Sequence, residues 1–194
     1  CARVTPIYKN KGSRLDKENY RPVSNLSLFG KCQEVAADVQ LRQHCEKLGL
    51  FGQHQHGFRR SRSTTTALLA AIIRWRENLK KKHQAALFFD LSAAYDVLDR
   101  DLFIKKAEIC GISGSALQWL KSYLSNRSQV VQIGQDLSTE LSLNTGTPQG
   151  SSCSCLVFIL FVGDLPLWVG DGLLVAYADD VFITVEADSE SELR

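Results

Sequence analysis

Three aspartates in apolar surroundings are the residues of this sequence best suited to chemistry. Asp179 and Asp180 lie inside the apolar run 173–185, and Asp90 ends the apolar run 85–89. A carboxylate beside hydrophobic strands is costly to desolvate unless it is protonated, ion-paired or bound to a metal. Three acids brought together favour the metal, and oxygen ligands select hard ions such as Mg²⁺, which also bind substrate phosphates. The pattern therefore predicts a Mg²⁺ site and phosphoryl chemistry.

The two neighbouring acids need a particular backbone geometry to share a site. Successive residues of a strand point to opposite faces, so Asp179 and Asp180 can address one metal only if the chain bends there. We therefore predict a β-hairpin with a tight bend. Asp179 is assigned as the direct partner of Asp90, with Asp180 as an auxiliary ligand or a nearby charge.

Composition indicates a globular chain. Of its 194 residues, 44% are hydrophobic and 23% are charged, which allows a substantial core and excludes a disordered composition. The apolar stretch 155–163 is too short to span a bilayer, and the first residues lack the order of a signal peptide. We therefore expect an intracellular protein without a membrane partner. The absence of Met indicates a segment of a longer open reading frame.

Charge is distributed unevenly along the chain. Residues 55–83 hold eight Lys or Arg against one acid, whereas residues 164–194 hold eight acids against one Arg. The basic segment, with Arg59, Arg60 and Arg62, could face a polyanion. The alternative is that these arginines form a solvated loop and that residues 80–82 end a helix. The sequence pattern leaves both interpretations open.

Hydrophobic periodicity predicts an α+β domain, with helices packed on one face of a mostly antiparallel sheet. A buried strand is expected at 87–90, and the Gly/Pro-rich segment 144–150 is expected to be a loop. The other predicted elements are a hairpin with strands at 4–8 and 19–24, a strand at 129–133, a hairpin at 173–185, and helices at 27–48, 63–82, 102–110, 115–125 and 151–164.

Three motifs occur together in this order: Phe-Phe-Asp-Leu-Ser-Ala-Ala-Tyr-Asp at 88–96, Thr-Pro-Gln-Gly-Ser at 147–151, and Tyr-Ala-Asp-Asp at 177–180. Each motif alone is a weak signal, but their order and separation resemble the central motifs of reverse transcriptases. Residues 19–24, Asn-Tyr-Arg-Pro-Val-Ser, and 55–59, Gln-His-Gly-Phe-Arg, resemble the fingers of non-LTR (LINE-like) retrotransposon enzymes. The resemblance runs nearly from end to end.

This resemblance implies a right-hand polymerase fold, with an antiparallel palm sheet backed by helices. It assigns residues 1–65 to the fingers and 66–194 to the palm, with 97–149 as a partly fingers-associated insertion and with the thumb absent. We therefore expect this segment alone to be inactive. The family also implies a nuclear and cytoplasmic ribonucleoprotein.

The implied activity is that of an RNA-directed DNA polymerase, which adds deoxynucleoside triphosphates to a DNA primer on an RNA template. Two Mg²⁺ ions, with Mn²⁺ as an alternative, would be held by Asp90, Asp179 and Asp180. Tyr95 matches the residue that excludes the ribose 2′-hydroxyl. The remaining nucleotide-binding positions implied by the resemblance are Lys9, Arg21, Gln149 and Gly150. The residues Arg59, Arg60, Arg62 and Lys80 to Lys82 would contact nucleic-acid phosphates.

A departure from the family and three alternative functions accompany this assignment. Cys153-Ser154-Cys155 stands where relatives usually have Leu-Gly-Pro or Leu-Ser-Pro, so the following helix could begin differently. A non-catalytic, nucleic-acid-binding scaffold would keep the same fold. A Mg²⁺-dependent nuclease or an RNA-templated RNA polymerase would use the same carboxylates, although Tyr95 disfavours an RNA product.

Overall fold

A computed structural model describes residues 1–79, 83–91, 93–170 and 172–193. The chain divides into two compact units. The first unit contains residues 1–43 and 93–157, and the second contains residues 44–92 and 158–194. The segment 97–149 therefore belongs to the same unit as residues 1–43. The boundary between fingers and palm at residue 65 stays a prediction, since compactness does not define a functional subdomain.

The sheet of the first unit begins with the predicted N-terminal hairpin. Strands β1 (Ala2–Tyr8) and β2 (Tyr20–Asn25) pair in antiparallel fashion, and Tyr8 lies opposite Tyr20. The sequence did not predict the parallel pairing of β1 with β4 (Arg127–Ile133). Strands β5 (Asp136–Leu137) and β6 (Leu141–Leu143) each pair with β4, and the order along the main path is β2-β1-β4-β5.

Two helices of the first unit follow their predicted positions. Helix α3 (Arg100–Ile109) begins two residues earlier than predicted, because the Asp99 side chain accepts a hydrogen bond from the Leu102 amide and caps the helix. Helix α4 (Gly114–Leu124) buries the predicted apolar face. The buried residues of α4 are Leu117, Leu120, Tyr123 and Leu124.

The second unit contains the predicted antiparallel palm sheet. Strands β3 (His83–Asp90), β7 (Leu173–Tyr177) and β8 (Asp180–Ala187) are ordered β3-β8-β7, and β7 and β8 form the predicted hairpin. Helix α2 (Thr64–Asn78) packs against β7, and Ser63 and Thr66 form a capping box at its start. Its predicted continuation to 82 lies partly outside the described residues. The fold-class prediction is confirmed.

The prediction of a buried strand at 87–90 is wrong. Leu87, Phe88 and Phe89 are 52%, 74% and 45% exposed. Strand β3 is the edge strand of its sheet, and the Phe88 ring contacts Phe182 on the neighbouring strand at 5.6 Å between centroids. An apolar run predicts burial only where both faces of a strand are covered, so the pattern located the strand but not its exposure.

Helices α1 (Leu28–Lys47) and α5 (Ser152–Phe161) contribute residues to both units. Helix α5 begins with the Cys153-Ser154-Cys155 segment and ends before the predicted limit, and the short helix α6 (Pro166–Val169) follows. By length and composition, the 18 residues Ser152–Val169 could cross a membrane. Turns separate α5 from α6, and Val157 and Ile159 are fully buried, as in the core helix of a globular protein. The absence of a membrane partner stays a prediction.

Candidate active site

The Tyr-Ala-Asp-Asp motif forms the turn between β7 and β8. Tyr177 and Asp180 are strand partners, so Ala178 and Asp179 are the two loop residues. Ala178 has φ of 58°, a left-handed conformation that is strained for a residue with a side chain, while Asp179 is not in that region. Positive φ at the first loop residue alone is the pattern of a type II′ turn. The predicted tight bend is therefore present.

The hairpin brings two of the three acids together. Asp90, the last residue of β3, is the direct strand partner of Asp180, the first residue of β8. Directly opposed residues of an antiparallel pair place their side chains on the same face, about 5 Å apart at Cβ. Asp179 lies one position earlier, in the turn. The structure thus pairs Asp90 with Asp180, whereas the sequence-based assignment made Asp179 the direct partner.

The carboxylates lie in an open, polar environment. Asp90 and Asp180 are exposed and Asp179 is partly buried, so the expected desolvation cost does not arise. Within the described ranges, no salt bridge or hydrogen bond reaches these three side chains, and no group of three or more His, Cys, Asp or Glu side chains is arranged to hold a metal ion. The donor chemistry nevertheless fits Mg²⁺, because two accessible carboxylates share one face.

A segment remote in sequence supports the turn from the other side. Residues 54–57 pair with β7: the Ala176 amide donates to His54 O at 2.9 Å, and the His56 amide donates to Ala176 O at 2.7 Å. The fully buried Gln55 side chain accepts hydrogen bonds from the Gly57 amide at 2.8 Å and the Ala178 amide at 3.0 Å. Sequence reasoning singled out the Gln-His-Gly-Phe-Arg motif but missed this role.

Arg59 is held inside the second unit. Its guanidinium donates to both carboxylate oxygens of Glu46 at 3.0 and 2.6 Å and also to the Gly52 carbonyl, and its side chain is 11% exposed. A bidentate pair of this kind fixes the guanidinium. This geometry argues against the predicted phosphate contact of Arg59, because its donors are already used to hold the loop.

The other predicted phosphate ligands differ in their solvent exposure and hydrogen bonding. Arg60 is exposed, and Arg62 is partly exposed while donating to the Gln53 carbonyl at 2.6 Å. Lys80, Lys81 and Lys82 lie outside the described residues. Arg60 thus remains the most accessible cation of the predicted nucleic-acid surface for which a position is described.

In the first unit, the segment that carries Tyr95 is tied to the Thr-Pro-Gln-Gly loop. The Thr147 amide donates to Tyr95 O at 2.8 Å, and the Gln149 side-chain amide donates to both carboxylate oxygens of Asp96 at 2.9 and 2.8 Å. A Cβ at Gly146 would lie 2.5 Å from Asp96 O, so only glycine permits this approach. The structure therefore brings Tyr95 and Gln149 together.

The same loop is anchored to β2 and to a buried polar network. The Ser24 amide donates to Gln149 O at 2.8 Å beside Gly150, which has φ of 97°. Below the loop, the Ser151 hydroxyl donates to Glu34 at 2.6 Å and contacts the Tyr123 hydroxyl at 2.6 Å. Burial raises the pKa of Tyr123 to about 12, so its phenol stays protonated. The loop is thus rigidly held.

The predicted triphosphate-binding cations belong to the N-terminal hairpin. Arg21 is exposed on β2 opposite Ile7. Lys9 follows β1, and its ammonium donates to Glu18 O at 2.9 Å. Both remain accessible to a ligand at the surface of the first unit.

The first unit therefore presents an ordered polar loop, and the second presents paired carboxylates on an antiparallel sheet, as expected for a metal-dependent nucleotidyltransferase. The family described as reverse transcriptase (RNA-dependent DNA polymerase) matches residues 7–193. The chain belongs to this family, whose members use divalent metal ions in catalysis.

The similar proteins indicate which type of reverse transcriptase this chain resembles. The chain is 28% identical to the Drosophila melanogaster protein named "Probable RNA-directed DNA polymerase from transposon X-element" and 25% identical to the "RNA-directed DNA polymerase from mobile element jockey" of the same species. Each match covers 97% of this chain and 21% of the relative. The resemblance to non-LTR enzymes is confirmed, and the chain spans about a fifth of the length of these relatives.

Solved structures share the fold at low sequence identity. Apo telomerase from Candida tropicalis, truncated from its C-terminal domain, matches with a TM-score of 0.64 and 15% identity, over 90% of this chain and 42% of that one. Telomerase from Candida albicans, in complex with the TWJ fragment of telomeric RNA, matches with a TM-score of 0.61 and 13% identity, over 95% of this chain and 38% of that one. These similarities support the polymerase fold.

Proposed function

We propose that this chain carries the catalytic segment of a non-LTR retrotransposon reverse transcriptase, which adds deoxynucleotides to a primer 3′-hydroxyl on an RNA template. The observation that carries the proposal is the placement of Asp90 opposite Asp180 at the Tyr-Ala-Asp-Asp turn, in a chain of the reverse transcriptase family. Asp90, Asp179 and Asp180 would hold two Mg²⁺ ions, or Mn²⁺ in their place. When bound, such ions stabilise the charge that develops on the attacking and leaving oxygens.

The remaining residues would bind and orient the substrates. Arg21 and Lys9 are cations suited to the triphosphate. Gln149, held by Asp96, would present its free amide oxygen to the nucleotide beside Gly150. Tyr95, on the segment bonded to the same loop, would contact the sugar and exclude a 2′-hydroxyl.

Template and primer would be bound chiefly through phosphates. One structural neighbour is a telomerase in complex with RNA, and by analogy we assign an RNA template and a DNA primer to this chain. Arg60 and Arg62 are the described cations proposed for this contact. Such binding weakens steeply with salt, since each neutralised phosphate releases counterions.

The test is RNA-templated primer extension by the intact polymerase that carries this chain. Asp90→Asn should lower extension by at least about a thousandfold, because it removes a charge needed in the transition state. Asp136→Asn is the matched control, since Asp136 is an exposed acid of the first unit. Both variants should keep the circular dichroism spectrum of the parent.

The outcomes separate the alternatives. Near-normal extension by Asp90→Asn would reject the active-site assignment. Retained binding of an RNA–DNA hybrid by the parent without Mg²⁺-dependent extension would favour the non-catalytic scaffold. Cleavage of the hybrid in the absence of nucleotide would instead favour the nuclease.

A further inference from the structure

The Gln-His-Gly-Phe-Arg segment contains a buried side chain that the proposed mechanism does not use. Gln55 has no exposed surface, and its amide oxygen accepts two backbone hydrogen bonds, from Gly57 and from Ala178. The second of these donors lies 123 residues away, in the turn that carries the catalytic acids. A buried amide committed to two main-chain donors acts as a bridge between two chain segments.

Ala178, the more distant of the two donors to Gln55, has a strained backbone conformation. Ala178 has φ of 58° and is 4% exposed. Such a conformation is strained for a non-glycine residue and persists only where the surroundings enforce it. The hydrogen bond from the Ala178 amide to Gln55 Oε1 is one such constraint. It orients the peptide unit that directly precedes Asp179.

Gly57 provides a second constraint on the same peptide. A Cβ at this position would lie 2.3 Å from the Ala178 nitrogen, so the residue must be glycine for the turn to approach. The pairing of His54 and His56 with Ala176 holds the segment alongside β7. The turn is therefore fixed from one side by backbone contact and by a single side-chain acceptor.

We propose that Gln55 is a positioning residue of the active site: it holds the Ala178 peptide so that Asp179 and Asp180 are presented in the geometry that binds the divalent metal. The inference rests on the proposed function. It adds a role for a residue outside the three central motifs, acting through the backbone and without contact with metal or nucleotide.

The test uses substitutions that distinguish the loss of the hydrogen-bond acceptor of Gln55 from a change in its side-chain volume. Gln55→Met keeps a similar size and removes the acceptor. Gln55→Glu keeps an oxygen at the accepting position, because burial favours the neutral, protonated carboxyl group, which still accepts. It removes no described hydrogen bond of the amide nitrogen, since Gln55 Nε2 has no partner among the described residues. Gln84→Met is the matched control, because Gln84 donates a side-chain hydrogen bond to Trp75 O in the same unit but away from the turn.

Two readouts are measured on the intact polymerase that carries this chain: hydrogen exchange of the peptide that contains Ala178, by mass spectrometry, and Mn²⁺ binding, by electron paramagnetic resonance. Gln55→Met should accelerate Ala178 exchange about tenfold, as expected for the loss of one buried hydrogen bond, and should weaken Mn²⁺ binding by a similar factor. Gln55→Glu and Gln84→Met should stay within about threefold of the parent in exchange.

The outcomes distinguish this proposal from the proposed function. If the parent binds Mn²⁺ and Asp179→Asn abolishes binding, but Gln55→Met changes neither readout, the positioning role alone is overturned. Equal losses in Gln55→Met and Gln84→Met would also overturn it, as a general loss of stability. A parent that binds no Mn²⁺ overturns both proposals. Should Gln55→Met not fold, Gly57→Ala displaces the same peptide, and unchanged Mn²⁺ binding in that variant contradicts the inference.

Discussion

The side-chain amide of Gln149 donates to both carboxylate oxygens of Asp96, at 2.9 and 2.8 Å. This pairing uses the donor end of Gln149 and leaves its amide oxygen to face other partners. It also links the loop proposed to contact the nucleotide to the segment that carries Tyr95. Asp96 would therefore act on the proposed nucleotide site through Gln149, although it is not one of the three acids proposed to hold the metal ions.

We predict that Asp96→Ala raises the KM for deoxynucleotides about tenfold in RNA-templated primer extension by the intact polymerase, since losing a hydrogen bond to a charged group costs about 1.5–3 kcal/mol. Asp96→Asn keeps one accepting oxygen and should have a smaller effect. The kcat should change less than KM, because the pair orients a binding group. An unchanged KM in Asp96→Ala would show that Gln149, as oriented by Asp96, does not contribute to nucleotide binding.

Arg59 and Arg60 are adjacent in sequence but should differ in function. Arg59→Ala leaves the partly buried Glu46 carboxylate without its bidentate partner and should lower the free energy of unfolding by about 2–4 kcal/mol in urea titrations. Arg59→Lys should rescue little, because an ammonium cannot form the same fork.

Arg60→Ala is the control for this prediction. Because Arg60 is exposed, its removal should change stability by less than about 0.5 kcal/mol. It should instead weaken binding of an RNA–DNA hybrid and reduce the slope of log affinity against log salt by about one. The opposite pattern, with Arg59→Ala stable and Arg60→Ala unfolded, would contradict both assignments.

The sequence predicted local features of the site more readily than remote ones. The bend at Ala178 and Asp179 followed from two adjacent acids in an apolar run, because strand geometry would otherwise separate their side chains. The hydrogen bond from Ala178 to Gln55 joins residues 123 positions apart and leaves no periodic signal in either segment. The only sequence signal near this contact was the motif at 55–59, which matched a known family but did not reveal the structural role of Gln55.

Exposure and pairing partners were the other features that the sequence did not determine. Phe88 lies in an apolar run that fits a buried strand equally well, and only the edge position of β3 explains its exposure. The parallel pairing of β1 with β4 depends on the chain returning after more than 100 residues, as in the partner pair Arg3 and Val130. The periodicity of hydrophobic residues indicates which face of a strand is buried, but it does not indicate which strand lies beside it.

Tyr95 is predicted to determine sugar selectivity. Its segment is bonded to the Thr147 amide, so the ring is carried by a fixed backbone. Tyr95→Ala should increase ribonucleotide incorporation relative to deoxynucleotide by at least about tenfold, whereas Tyr95→Phe, which keeps the ring, should retain discrimination. The measurement is the ratio of kcat/KM for the two nucleotide types. Equal ratios in parent and Tyr95→Ala would assign the ring to packing alone.

His54 should make the stability of the chain depend on pH. Burial, together with the positive charges of Arg59, His56 and Arg62, lowers the pKa of His54 from 6.5 to about 4. The unfolded chain therefore binds a proton that the folded chain rejects between these values. The stability contributed by the neutral ring is complete above pH 6.5 and is lost as the pH falls towards 4, by about 3 kcal/mol in total.

The pH effect is isolated by comparing variants, because carboxylates also titrate at the acid end. The free energy of unfolding in urea, measured from pH 7.5 to 4.5, should fall more steeply for the parent than for His54→Gln. His83→Gln is the matched control for the loss of a histidine, since His83 is exposed at the start of β3. His56, whose pKa burial also lowers, contributes in the same direction, so His54→Gln should flatten the profile without abolishing it. Identical slopes for the parent and His54→Gln would show that the ring is not buried in its neutral form, and the packing of the 54–57 segment against β7 would then be wrong.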